Sequence, residues 1–199
     1  MQQTVPALGA RLPSEALILF PSQQALFESF QTPGNRERRM DLTGWYKLCC
    51  DFGVSADVVS GQELHDGVPE DVKLIILPAN DACALEADES ATAAAKTALG
   101  RGCVYSFGYL YGYSYTQKAA PHVPRNMRNN ELYPVFMGKQ AIFREILEAS
   151  RVRRSRYASV DIETGEFENG TVVVNHTSYP HFVEGYGTLP SRTACFIKK

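Results

Sequence analysis

Two histidines and a row of tyrosines are the residues of this 199-residue chain whose types and spacing could do chemistry. His176 and His181 could serve as a catalytic base or as a metal-binding pair. They stand five positions apart, on a segment that reads as a strand running into a loop. Side chains alternate between faces there, so the two rings need not converge. No carboxylate or cysteine stands in metal-ligand spacing with them, and no metal is expected. His122 sits between Pro121 and Pro124 in a loop. Solvated or hydrogen-bonded histidines are the reading this spacing favours.

Tyr105, Tyr109, Tyr111, Tyr113 and Tyr115 are separated by odd-numbered intervening stretches, four of them strictly alternating. An extended segment would put them on one face. Such a face suits a carbohydrate or a subunit contact, because tyrosine is favoured at interfaces. It suits equally a half-buried strand extension packed against the residues that follow. The acidic residues fall into three groups. Asp41, Asp51 and Asp57 surround the first helix, Glu86, Asp88 and Glu89 open a second, and Asp161 to Glu168 form a polar stretch. The second group compensates a helix dipole, and the third reads as turn chemistry around Gly165. Arg151, Arg153, Arg154 and Arg156 read as a solvated helix end, favourable to the dipole.

The elements that must position these groups follow from the apolar pattern. Ala16–Phe20, closed by Pro21, is a continuous apolar run of the kind found in strands buried on both faces. A helix is expected over Arg36–Phe52, with Leu42, Trp45, Cys49 and Phe52 on one face and Gly53 at its C-cap. Ala56–Val59 and Lys73–Leu77 read as the second and third strands. Alanine-rich Glu86–Leu99, ending at Gly100, predicts a second helix. Cys103–Phe107 follows as a fourth strand. Strands alternating with helices imply parallel βαβ crossovers and an α/β fold. Residues 109–135 read as a surface excursion. Lys139–Ser150 predicts a helix with Ile142, Ile146 and Leu147 inward, and Thr171–Val174 and Ala194–Ile197 predict two further strands.

In an open parallel sheet, ligands gather beyond the C-terminal strand ends. That edge offers Ser22, Gln23, Asn80, Asp81, Tyr109 and Tyr111, a mixture of amides, hydroxyls and aromatic faces suited to sugars. Turns and loop caps use the same residue types. The chain has no G-x-G-x-x-G and no Walker A motif, so no nucleotide cofactor is expected.

Composition bounds the partners. Net charge is −2, which gives no broad attraction to nucleic acid or to an anionic membrane surface. The apolar runs are too short to span a bilayer. Residues 1–14 hold no apolar leader and read as a lead-in, which favours a cytoplasmic location; residues 15–199 read as one domain. The 5 cysteines (Cys49, Cys50, Cys83, Cys103 and Cys195) form no metal pair and no disulfide framework. The sequons at Asn169 and Asn175 read as chance matches.

The order and wording of these elements resemble the β-galactosidase trimerisation domain, a class I glutamine amidotransferase-like module found beside the catalytic barrel of some glycoside hydrolases. The residues that carry the likeness are Ala16–Phe20, Leu42–Tyr46 through Cys49–Gly53, Val54–Val59, Lys73–Ala79 and Ala98–Tyr105. They span about residues 15–110. The later half departs from the pattern, and Phe196–Lys199 looks like the lead-in to a glycine-rich turn of the family, which suggests truncation at that end. The resemblance implies a flavodoxin-like three-layer sandwich with a mainly parallel sheet. In it Ala16–Phe20, Lys73–Leu77 and Cys103–Phe107 would be adjacent parallel strands, with Ala56–Val59 outside the first.

The resemblance also frames the catalytic question. True amidotransferases present a cysteine at a strand-to-helix elbow, with a histidine and a glutamate arriving later. Here Cys103 begins the equivalent strand, and Val104 stands where an elbow serine at 106 would need glycine. Cys103 is therefore expected to be core packing and Ser106 a remote nucleophile candidate. The implied function is a non-catalytic accessory or oligomerisation domain of a glycoside hydrolase flanking a carbohydrate site, with its own catalytic domain or neighbouring subunits as partners. Two alternatives stay open: a stand-alone amidotransferase-like hydrolase using Cys103 or Ser106, and a flavodoxin-like module binding carbohydrate or another small molecule.

Overall fold

A computed structural model describes residues 8–20, 36–65, 67–78, 94–99, 102–107, 111–116, 137–160 and 162–199. The apolar run at the start forms strand β1 (Ala16–Phe20). It pairs in parallel with β2 (Ala56–Ser60) on one side and β3 (Leu74–Ile76) on the other, in the order β2-β1-β3. This is the order expected for these three strands.

Helix α1 (Arg36–Asp51) connects β1 to β2 and supplies much of the core through Trp45, Leu48 and Cys49, joined by Phe52 just beyond its end. It closes as the sequence predicts. The Val54 amide donates to the Cys49 carbonyl at 2.8 Å and the Gly53 amide to that of Cys50 at 3.0 Å, a Schellman closure. Gly53 has φ +73°, and a Cβ there would strike the backbone at Ser155, so only glycine fits.

The fourth strand departs from expectation. β5 (Gly102–Phe107) does not extend the parallel sheet among the described residues. It pairs antiparallel with β4 (Ala94–Leu99), which belongs to the segment predicted as a helix. Two residues, Gly100-Arg101, separate the paired Leu99 and Gly102. A Gly-X pair between two strands is a hairpin signal, and here strand pairing overrides the helix propensity of alanine. The start of the expected helix, at Glu86, lies outside the described residues.

The tyrosine segment also departs. Tyr111–Thr116 is a short helix, α2. Its period places Tyr111 and Tyr115 four residues apart on one buried face, while Tyr113 is half-buried. Gly112 lies against α1 at Gly44 so closely that a Cβ on either would overlap the other helix's backbone. Helix α3 (Met137–Ser150) follows. It turns Phe143, Ile146 and Leu147 into the same core, with Ile142 partly buried beside them.

The C-terminal part is antiparallel. β6 (Ile162–Phe167), β7 (Gly170–Asn175) and β10 (Ala194–Lys198) form a sheet in the order β10-β7-β6, and β8 (His181–Val183) pairs with β9 (Gly187–Leu189). Ile162, Val173, Val183 and Leu189 make a second core there. The polar stretch around Gly165 is a strand rather than a turn: Ile162 faces that core, and Glu163, next to it on the opposite face, meets His176 at the surface. The described fold is thus α/β with one parallel and three antiparallel sheets. No helix among the described residues is long and apolar enough to cross a membrane.

Candidate functional site

β1 and β3 are parallel neighbours, so their C-terminal ends share one sheet edge. Of the residues predicted to meet a ligand there, Ser22, Gln23, Asn80, Asp81 and Tyr109 lie outside the described residues. Tyr111 is described, and only 1% of it is exposed. Its ring stacks on Trp45 with centroids 4.8 Å apart, and Phe107 lies 4.4 Å away. Tyr111 is part of the packing that holds α2 to α1.

The same joint holds two carboxylates whose burial the sequence reading missed. Asp41 and Asp51 are both buried. Asp41 Oδ1 accepts the Tyr113 amide at 2.8 Å, satisfying an N–H in the first turn of α2 that has no partner within the helix. Asp51 Oδ1 accepts from Lys47 Nζ at 2.6 Å, and Oδ2 accepts the Tyr115 hydroxyl at 2.7 Å. These carboxylates join helices. The signal was available: Asp41 shares the apolar stripe of Trp45, Leu48 and Phe52, and an acid on such a stripe needs partners.

The two histidines stand apart in role. His176 Nε2 is 2.8 Å from Glu163 Oε2 on the surface. The Tyr46 hydroxyl donates to the other Glu163 oxygen at 3.4 Å. Cys50 adjoins this group, and burial, with the charges of Glu163 and Asp51, pushes its thiol up to about 12. A nucleophile needs the opposite shift. His181 packs beside Tyr179, with ring centroids 5.1 Å apart. Its Nε2 is buried without a hydrogen-bond partner among the described residues. No cluster of potential metal ligands occurs among those residues.

Cys103 is exposed, which corrects the expectation that it packs in the core. It faces Ala98 across the β4–β5 hairpin, and Ser106 faces Ala95. A cysteine at the start of a hairpin strand lacks the strand-to-helix elbow that would present it as a nucleophile.

A cationic concave feature lies elsewhere, where the end of α1 meets α3 and the segment after it. A cleft of about 530 Å³ is lined by Asp51, Phe52, Gln140, Arg144, Arg154 and Arg156, among others. The Arg144 and Arg154 guanidinium carbons lie 5.6 and 5.8 Å from the centre of the Phe52 ring. Arg154 Nε donates to the Phe52 carbonyl at 3.3 Å, and Arg156 to the Tyr157 hydroxyl at 2.6 Å. Arg153 turns away from this group: its amide donates to Glu15 Oε2 at 2.7 Å. The basic run after α3 is therefore divided between an internal clamp and a cleft wall.

No protein-family model matches the chain, and no curated protein matches it. A solved structure does. The crystal structure of β-galactosidase from the psychrophilic Marinomonas ef1 aligns with a TM-score of 0.51 at 11% sequence identity. The alignment covers 97% of this chain and 38% of that one. At this identity the likeness is one of fold. It runs through the antiparallel C-terminal part as well as the parallel sheet, further than the sequence resemblance at residues 15–110. The chain spans well under two thirds of the β-galactosidase it resembles.

Proposed function

We propose that this chain is a non-catalytic, amidotransferase-like accessory and oligomerisation domain of a glycoside hydrolase of the β-galactosidase type. The observation that carries the reading is the alignment of 97% of the chain with part of a β-galactosidase. The parallel β2-β1-β3 order agrees with it, and the sequence resemblance points the same way independently. In this reading the partners are the enzyme's own catalytic domain or neighbouring subunits. In the same reading the sheet edge beyond β1 and β3 flanks a carbohydrate site.

Light scattering on the eluting protein across a hundredfold range of concentration tests the assembly role. Self-association into one defined oligomer is the expected result. A strict monomer whose backbone amide spectrum is also unmoved by galactose and lactose would overturn the reading.

A further inference from the structure

We infer that the cleft between α1 and α3 is a binding site for a phosphate monoester of a small polar molecule. The inference is independent of the accessory-domain reading. It starts from charge. Arg144, Arg154 and Arg156 line one concavity, and among the described residues none of them forms an ion pair. Asp51, the acid in the lining, already binds Lys47 Nζ and the Tyr115 hydroxyl. Glu166 and Glu184 act on Arg156 through space without a direct pair. Three guanidinium groups gathered without bound counter-charge repel one another, and a dianion seated among them relieves that repulsion.

The chemistry of the wall selects the class of anion. Guanidinium groups offer paired N–H donors that match the oxygens of phosphate. Arg154 uses Nε on the Phe52 carbonyl, and Arg156 uses one terminal nitrogen on Tyr157. Arg144 meets the Phe52 ring, and each of the three retains N–H donors. The Gln140 side chain adds amide donor and acceptor capacity for a hydroxyl-bearing remainder, and Phe52 supplies an apolar wall. A volume of about 530 Å³ is that of a small-molecule site rather than of a lone ion.

Calorimetric titration of the full chain with glucose 6-phosphate, with inorganic phosphate and with glucose tests this, at constant ionic strength because exposed charges are screened. Saturable binding of glucose 6-phosphate is expected, with glucose silent. R144Q and R156Q should each weaken it by roughly tenfold, the usual worth of one charge-assisted contact. Both residues are exposed, so these variants should keep the wild-type circular dichroism and melting profile. K198Q, which removes a surface charge on β10, should bind as wild type. Inorganic phosphate binding as tightly as the ester would assign recognition to the phosphate group alone and still support the site. Absence of saturable binding by either phosphate, or equal weakening in K198Q and R144Q, would overturn it.

Discussion

The Tyr115 hydroxyl donates a hydrogen bond to Asp51 Oδ2 across 2.7 Å, joining the middle of the chain to the end of α1 inside the core. Tyr115 is fully buried, and Lys47 holds the other oxygen of the same carboxylate. Removing the hydroxyl would leave a buried charged group short of one donor. Y115F should therefore cost about 1–3 kcal/mol, although it keeps the ring. A denaturant midpoint equal to wild type would mean that water or another donor replaces the hydroxyl at no cost.

The contact between Gly44 and Gly112 gives a second test. Alanine is a better helix former than glycine by about 1 kcal/mol, so propensity alone favours G112A. Here an added methyl would meet the Asp41 carbonyl and the Trp45 amide, both backbone atoms that cannot rotate away. Overpacking should win, for a net loss of about 1–3 kcal/mol. Thermal melts of G44A and G112A would check this, and a stabilised G112A would show that the two helices are free to part.

Much of the parallel unit was legible because each of its elements carries one unambiguous signal. Ala16–Phe20 is uniformly apolar between breakers, and Trp45 and Cys49 share a helical stripe that ends at a glycine able to take φ +73°. The misreadings fall where two signals compete. Ala94–Leu99 has helical composition but precedes a two-residue Gly-X connection to a β-rich run. Tyr105–Tyr115 has the period of a strand, yet Gly112 lets its second half coil against α1. The arginine cleft was illegible for another reason. Arg144 and Arg154 meet at Phe52 only because α3 and the segment after it fold back onto the end of α1. No spacing along the chain encodes that meeting.

Glu15 should make stability sensitive to acid. Burial pushes its carboxyl up. The Lys73 ammonium at 2.9 Å, the Arg153 amide at 2.7 Å and the Arg153 guanidinium more than offset this, and hold it below the ordinary value. A carboxyl depressed in the folded state stabilises at pH above its unfolded value, about 4.3 for glutamate. That contribution is lost as pH falls through the folded value. Melting temperature should thus drop more steeply below about pH 4.5 in wild type than in E15Q. Parallel pH profiles for the two proteins would remove Glu15 from the account of acid sensitivity.

The last prediction concerns catalysis by Cys103 and Ser106. Both sit on β5, paired across the hairpin with β4, and Cys103 is exposed to solvent. A thiol or hydroxyl attacks a carbonyl usefully only when a base takes its proton and amide donors await the oxyanion. His176 has a carboxylate partner, and that partner, Glu163, belongs to β6 rather than to the hairpin. Glu163 also acts on Cys50, whose thiol is pushed up to about 12, chiefly by burial. The chain alone should give background turnover with glutamine and with aryl galactosides. Exposure should still make Cys103 readily alkylated by a maleimide at neutral pH, while buried Cys49 stays unmodified until the protein unfolds. Peptide mass mapping after a timed pulse would read both sites in one experiment. Hydrolytic activity that is abolished by that alkylation, and absent in C103A, would promote the hydrolase reading over the accessory one.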